Sequence, residues 1–97
     1  MLRIGLNGFG RIGRVITRII EENNDCEIVA SNEIDPDVEN AAYLLRYDSV
    51  YGRFKGDVSS NGGTLIINDR KIKMYSESNG LDVPWEKHNV DVLIDAT

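Results

Sequence analysis

The chain has 97 residues, 41% of them hydrophobic and 28% charged, with a net charge of -5. That is enough for one small domain or part of a larger one and too apolar for wholesale disorder, while the acidic balance lacks the basic footprint that nucleic acid or an anionic membrane demands. No apolar run approaches a membrane span, the opening "MLRIGLNG" carries no cleavable leader, and the single cysteine, Cys26, has no disulfide partner, so the expected setting is the reducing cytoplasm.

Residues 2–7, "LRIGLN", alternate Leu2, Ile4 and Leu6 and predict a short strand. A glycine cluster follows. Ile12, Val15, Ile16, Ile19 and Ile20 then recur at helical spacing, predicting a helix over about 11–22 with this face inward and Arg14, Arg18, Glu21 and Glu22 outward. "NND" ends it, and "CEIVAS" predicts a second strand. Strand, glycine turn, helix and strand within about 30 residues make one parallel β-α-β unit.

In "NEIDPDVENAAYLLRYD", Asp35 is the candidate N-cap and Pro36 the first helical residue. Val38, Ala41, Ala42, Leu44 and Leu45 form the apolar stripe of a helix ending near Tyr47, and Tyr43, Tyr47 and Tyr51 recur every four residues as a packing face. Three short runs follow, around Val58, Leu65–Ile67 and Ile72–Met74, separated by the turns Asn61-Gly62-Gly63 and Asn68-Asp69-Arg70. They predict a small antiparallel hairpin insertion, with "DRKIKMY" on a solvated edge. "PWEKH" suggests one helical turn, with Trp85 packed against the insertion and His88 on the surface. "DVLIDAT" predicts a last strand whose Val92, Leu93 and Ile94 are buried in the sheet. A parallel sheet needs cover on both faces. Two helices and a hairpin supply little of it, so the expectation is a part of a larger protein.

The glycine cluster carries the chemistry. In "NGFGRIGR", Gly8, Gly10 and Gly13 fall in the pattern G-x-G-x-x-G after a strand and into a helix. The first glycine permits a sharp turn, the second lets a pyrophosphate approach the backbone, and the third lets helix and strand lie close. The first amides of the helix have no internal partners and point at whatever sits there. Arg11 and Arg14 occupy an end of the helix that is already positive, which a bound anion would favour. Their side chains pointing away, to acids or a neighbouring subunit, is the alternative. Dinucleotide binding is the expected function of the turn. Glu33, in "SNE" at the end of the second strand, lies 20 residues after Gly13, where an acid accepts hydrogen bonds from both adenosine ribose hydroxyls and repels a 2′-phosphate. NAD is therefore expected over NADP.

"NGFGRIGR", "VASNE", "AAYLLRYDSVYGRF" and "VPWEKHNVDVLIDAT", in that order, resemble the phosphorylating glyceraldehyde-3-phosphate dehydrogenase family and its close relative erythrose-4-phosphate dehydrogenase, along essentially the whole chain. The resemblance implies the N-terminal portion of a doubly wound α/β (Rossmann) NAD-binding domain over residues 1–97, with the β-hairpin insertion and without the catalytic domain. It implies that the diphosphate lies against the amides of Arg11 and Ile12, within a turn formed by Asn7, Gly8, Phe9, Gly10 and Gly13. It places Glu33 at the adenosine ribose, Glu77 and Ser78 beside the adenine, and Thr97 next to the dinucleotide, with Asn32 also among the cofactor-binding residues. Glu33 stands where Asp is usual, Ser78 where Arg is frequent and Tyr51 where His is common. The first of these leaves erythrose 4-phosphate open as the substrate beside glyceraldehyde 3-phosphate.

In that family a cysteine thiolate attacks the aldehyde, a histidine takes the proton, hydride passes to nicotinamide, and the acyl thioester is released to phosphate. The resemblance puts those residues beyond Thr97. Cys26, in "NNDCEIV", lies far along the chain from the turn's ligand side, and His88 has no cysteine or acid at catalytic spacing. No catalytic or metal-ligating residue is therefore expected here, and the chain alone is expected to be inactive. The whole protein would act on a phosphorylated aldehyde, as a homo-oligomer, a tetramer by family resemblance. A free-standing nucleotide-binding module is the alternative from another class.

Overall fold

Strand β1 (Leu2–Asn7) leads through helix α1 (Arg11–Glu21) to β2 (Cys26–Asn32), and β2 through α2 (Val38–Arg46) to the meander β3 (Val58–Asn61), β4 (Thr64–Ile67) and β5 (Arg70–Tyr75). Two 3-10 turns, Gly80–Asp82 and Trp85–His88, then precede β6 (Val92–Asp95). The computed structural model describes residues 1–23, 25–47 and 56–97; Tyr51 and most of "YDSVYGRF" lie outside them. One sheet runs in the order β3-β4-β5-β2-β1-β6. Its β5, β2, β1 and β6 pair in parallel, and β3, β4 and β5 pair antiparallel.

The expected β-α-β unit and the strand order of a doubly wound, Rossmann-type sheet are present, but the hairpin is not an appendage. Strand β5 pairs with β4 on one side and β2 on the other. "DRKIKMY" is therefore an interior strand, not a solvated edge. Its alternation explains why: Ile72 and Met74 enter the core, while Lys71 and Lys73 stay exposed.

The core lies on one face of the sheet. Ile4, Leu6, Ile28, Leu65, Ile67, Ile72 and Met74 meet Phe9, Ile20, Val38, Ala41, Ala42 and Leu45 there. Burying a residue such as Leu6, Leu45 or Ile72, each fully enclosed, contributes roughly 1.5–3 kcal/mol. The arginines join the parts: Arg18 donates to the Leu45 carbonyl at 2.7 Å, tying α1 to the end of α2, and Arg46 donates to the Val58 carbonyl.

Helix α1 departs from its expected orientation. Gly13, Thr17 and Ile20 are its buried line, while Ile12 and Ile19 are 61% and 60% exposed. The glycine brings the helix backbone so close that the line through it becomes the contact, and the large isoleucines flank it. Thr17 settles its buried hydroxyl by donating to the Gly13 carbonyl at 2.8 Å. Helix α2 starts two residues later than expected, capped by Asp37, which accepts from the Asn40 amide at 3.0 Å. Asp35 instead accepts from the Asp37 amide at 3.0 Å, a local turn that consumes it before the helix begins. On α2, Leu44 is exposed beside the buried Leu45, and Tyr43 and Tyr47 meet each other at 5.1 Å on the outer side.

Strand β6 is also corrected. Among the described residues it pairs only with β1, at the end of the sheet, and Val92 and Leu93 are 41% and 42% exposed. Ile94, between them and Asp95, is the part of β6 that packs against the core. On the other face of the sheet the segment 79–91 lies along β1. Trp85 packs on Gly5 rather than on the hairpin: a Cβ at Gly5 would stand 2.7 Å from Trp85 Cε3. Its indole donates to the Gly80 carbonyl at 2.9 Å. Arg3 donates to the His88 carbonyl at 2.8 and 3.0 Å. His88 is not a free surface residue: it is half-buried, with Nε2 2.6 Å from the Tyr75 hydroxyl. Burial, with help from Lys87, Arg3 and Lys73, lowers its pKa. Among the described residues no helix is long and apolar enough to cross a membrane.

Glu21 closes α1 at a cost. Its side chain is 5% exposed, with Arg70 Nη1 3.6 Å from Oε2. Its Oε1 has no hydrogen-bond partner among the described residues. Burial raises its pKa above the ordinary 4.5, Arg70 opposes the shift and Glu27 adds to it. A carboxyl whose pKa is raised by folding favours the folded state below the unfolded value, and that contribution is lost as pH rises through the folded pKa. The Glu21→Gln variant is therefore expected to be at least as resistant to urea as the parent at pH 7. The parent should gain on the variant as pH falls toward 4.5, and unfolding curves across that range check it.

Candidate functional site

The glycine turn stands at the end of β1, and its three glycines answer to three different neighbours. Gly8 has φ +110°, and a Cβ there would meet the Ala96 carbonyl at 2.9 Å. Its amide donates to the Asn32 carbonyl at 2.9 Å. A Cβ on Gly13 would stand 2.0 Å from the Gly8 carbonyl oxygen, so only hydrogen fits between helix and turn. Gly10 is different: a Cβ there would have nothing within 4 Å. Packing among the described residues does not require a glycine at that point, which leaves the backbone open to an approaching ligand.

Helix α1 begins at this open position. Gly10 is its N-cap, no side chain caps it, and its first turn contains no acid. The leading amides thus meet the solvent side of the turn with the positive end of the helix behind them. The two arginines part company. Arg14 donates to the Phe9 carbonyl at 3.2 Å and so braces the turn, whereas Arg11 is exposed at the helix mouth.

A cleft of about 280 Å³ opens beside the turn and brings together Asn7, Gly8, Gly10, Asn32, Glu33, Glu77, Ser78 and Thr97. Four expected site residues do not line it. Phe9 is 3% exposed, with its ring in the core, and Gly13 is buried under Gly8. Arg11 and Ile12 lie just above, at the start of α1. Ile34, Gly80 and Ala96 complete the lining and were not anticipated. For Gly80 a signal existed: "SNGLD" is a turn, and a Cβ on Gly80 would stand 2.3 Å from Asn7 Nδ2. Glu33 lines this cleft and a neighbouring one of about 200 Å³ that Asp35, Asp37 and Arg14 also wall. A larger opening, about 400 Å³, lies on the outer face among Arg3, Lys71 and Lys73, away from the glycine turn. Volume alone therefore does not locate the site.

Polar side chains hold the cleft's shape. Asn32, 3% exposed, donates to Asn7 Oδ1 and to the Glu77 carbonyl, both at 3.0 Å, and accepts from the Glu77 amide at 2.9 Å. Asp95 accepts from the Thr97 hydroxyl at 2.7 Å and the Thr97 amide at 3.2 Å. The hydroxyl first, then the amide, hold the Asp95 carboxyl below its usual range. The cleft can bind an anionic linker at exposed amides and a diol at Glu33. Neither cysteine nor histidine is among the residues that line it. Cys26 opens β2 opposite Leu2, at the other end of the sheet.

The chain is similar to known proteins along its whole length. The family described as glyceraldehyde 3-phosphate dehydrogenase, NAD binding domain, matches residues 2–97. The chain is 45% identical over 97 residues to a cytosolic glyceraldehyde-3-phosphate dehydrogenase of Trypanosoma brucei brucei, covering 100% of the chain and 29% of that relative. It is 43% identical to glyceraldehyde-3-phosphate dehydrogenase 1 of Kluyveromyces marxianus, over 100% of the chain and 30% of the relative. It is 40% identical to the Cryphonectria parasitica enzyme, again over 100% of the chain and 29% of the relative. The chain thus spans about 30% of the length of these relatives. With the glycine turn, the uncapped helix and the acid at the end of β2 all in place, the chain belongs to the NAD-binding domain family of glyceraldehyde 3-phosphate dehydrogenases.

Proposed function

We propose that the 280 Å³ cleft takes the adenosine diphosphate half of NAD. The amides of Arg11 and Ile12 face the diphosphate, Glu33 the ribose hydroxyls, and Glu77 and Ser78 the adenine side. Asn7, Asn32 and Thr97 fit this reading as walls, since Asn32 and Thr97 already bond within the chain. Phe9 and Gly13 serve it from beneath, by setting the turn on the core. The observation that carries the reading is Gly10, a glycine with open space over it at the mouth of a helix that no side chain caps.

The same reading extends to the whole protein. Residues 1–97 are the N-terminal portion of the NAD-binding domain of a cytoplasmic, NAD-dependent phosphorylating aldehyde dehydrogenase that works as a homo-oligomer, a tetramer by family resemblance. Relatives at 40–45% identity carry the glyceraldehyde name. That favours glyceraldehyde 3-phosphate over erythrose 4-phosphate, and a longer enzyme over a free-standing module. NAD, when bound, supplies the hydride acceptor. This chain binds and orients it, and the nucleophile and base come from sequence further on. β6 is the end strand of the described sheet, and its exposed Val92 and Leu93 suit a sheet that continues past it and is covered there by further chain. The 97-residue chain alone is expected to oxidise neither aldehyde.

Calorimetric titration of ADP-ribose into the intact protein tests the binding reading. Gly10→Ala should leave the thermal midpoint nearly unchanged, because the new methyl meets nothing in the chain, yet weaken binding at least tenfold by standing where the diphosphate must come. Gly13→Ala should instead lose folded protein. Unaltered affinity in Gly10→Ala would remove the ligand from this turn. Separately, Glu33→Gln should weaken NAD on the order of tenfold, the scale of a hydrogen bond to a charged group, and narrow the preference for NAD over NADP. Equal affinities in parent and variant would take Glu33 out of the site.

A further inference from the structure

We infer that Asn32 is a positioning residue that locks the two halves of the cleft together, so that the adenine side is held in register with the glycine turn. The inference rests on the proposal that this cleft binds NAD. Three strand ends meet at the cleft. Asn32 is the last residue of β2 and Asn7 the last of β1, and the pairing register sets them side by side. That register slips by one residue between Ile4 and Gly5, which is what brings Asn7 level with Asn32.

Both donors of the Asn32 side-chain amide are engaged, and its oxygen accepts one bond. Its Nδ2 donates to Asn7 Oδ1 and to the Glu77 carbonyl at 3.0 Å, and its Oδ1 accepts from the Glu77 amide at 2.9 Å. Glu77 is thus gripped by both its backbone groups, as a neighbouring strand would grip it, at a point where β5 has already ended. The same line continues outward: Asn7 Nδ2 lies 3.5 Å from Asp95 Oδ1, and Asp95 holds Thr97. Asn7 also touches Gly80, where a Cβ would collide with its amide.

Asn32 is 3% exposed and its amide has no spare donor. Its contribution is therefore indirect: it places Glu77 and Ser78 opposite Gly8 and Gly10. An aspartate would keep the bond from the Glu77 amide but would lose both donors and set a charge against the Glu77 carbonyl. Leucine or alanine would leave both Glu77 backbone groups without their partner. Only an amide of this length offers a donor and an acceptor to one peptide and a second donor to Asn7.

The test uses the intact protein with NAD and AMP as probes. Asn32→Ala should raise the KM for NAD and the inhibition constant of AMP by the same factor, about tenfold, the scale of two or three lost hydrogen bonds. The kcat at saturating NAD should stay within about twofold, because the reacting end of the dinucleotide is not on this side. Asn7→Ala breaks one arm and should cost AMP about threefold. Combined with Asn32→Ala it should cost no more than Asn32→Ala alone. The inference is overturned if AMP binds Asn32→Ala as it binds the parent, if kcat collapses along with KM, or if the two substitutions act independently. Should Asn32→Ala not fold, the Asn7→Ala result decides alone: a loss confined to AMP and NAD affinity supports the lock, and no loss overturns it. Failure of the parent to bind NAD at all would instead refute the cofactor site.

Discussion

Helix α1 can start where it does because nothing larger than a hydrogen stands on the Cα of Gly13. The Gly8 carbonyl oxygen occupies the place of a side chain, 2.0 Å from where a Cβ would be. That contact presses the first turn of the helix against the end of β1. It makes Gly13, Thr17 and Ile20 the buried line, and it leaves the leading amides facing outward over Gly10. Fold and site are thus set by one approach distance. The close-packed core beneath and the direction of the leading amides both depend on it.

Around that contact polar fastenings work beside the apolar packing of Phe9 and Trp85. Arg14 braces the turn from inside the helix through the Phe9 carbonyl. The amides of Asn7 and Asn32 join β1, β2 and the segment after β5. On the outer face, Trp85 over Gly5 and Arg3 on the His88 carbonyl pin the segment that brings Gly80 into the cleft. Buried amides that are completely bonded are rigid, because each lost partner leaves a desolvated group behind. A site that depends on amide direction gains from that rigidity.

Much of this was legible in the chain. The spacing of Gly8, Gly10 and Gly13 between a strand pattern and a helix pattern disclosed the turn, and Glu33 followed from its distance to Gly13. The hidden parts share a cause: they depend on partners distant in sequence. Ile12 and Ile19 read as inward because periodicity gives a stripe and not its direction, and Gly13 turned it. Lys71 and Lys73 read as an edge because a strand's neighbours are not written in its own residues, and β5 found β2 from far back in the chain. The amide of Asn32 meets groups 25 and 45 residues away, beyond any local pattern. Where the reading failed at Asp35, a short-range competitor won: the side chain turned onto the Asp37 amide before it could cap the helix.

The central claim is that open backbone amides at the head of α1 receive a diphosphate. A crystal structure of the intact protein grown with NAD tests it most directly. Diphosphate oxygens are expected within hydrogen-bond distance, about 2.7–3.2 Å, of the Arg11 and Ile12 nitrogens, with the adenosine ribose on Glu33. Density for the dinucleotide in the outer-face opening among Arg3, Lys71 and Lys73, with α1's first amides still facing water, would contradict it.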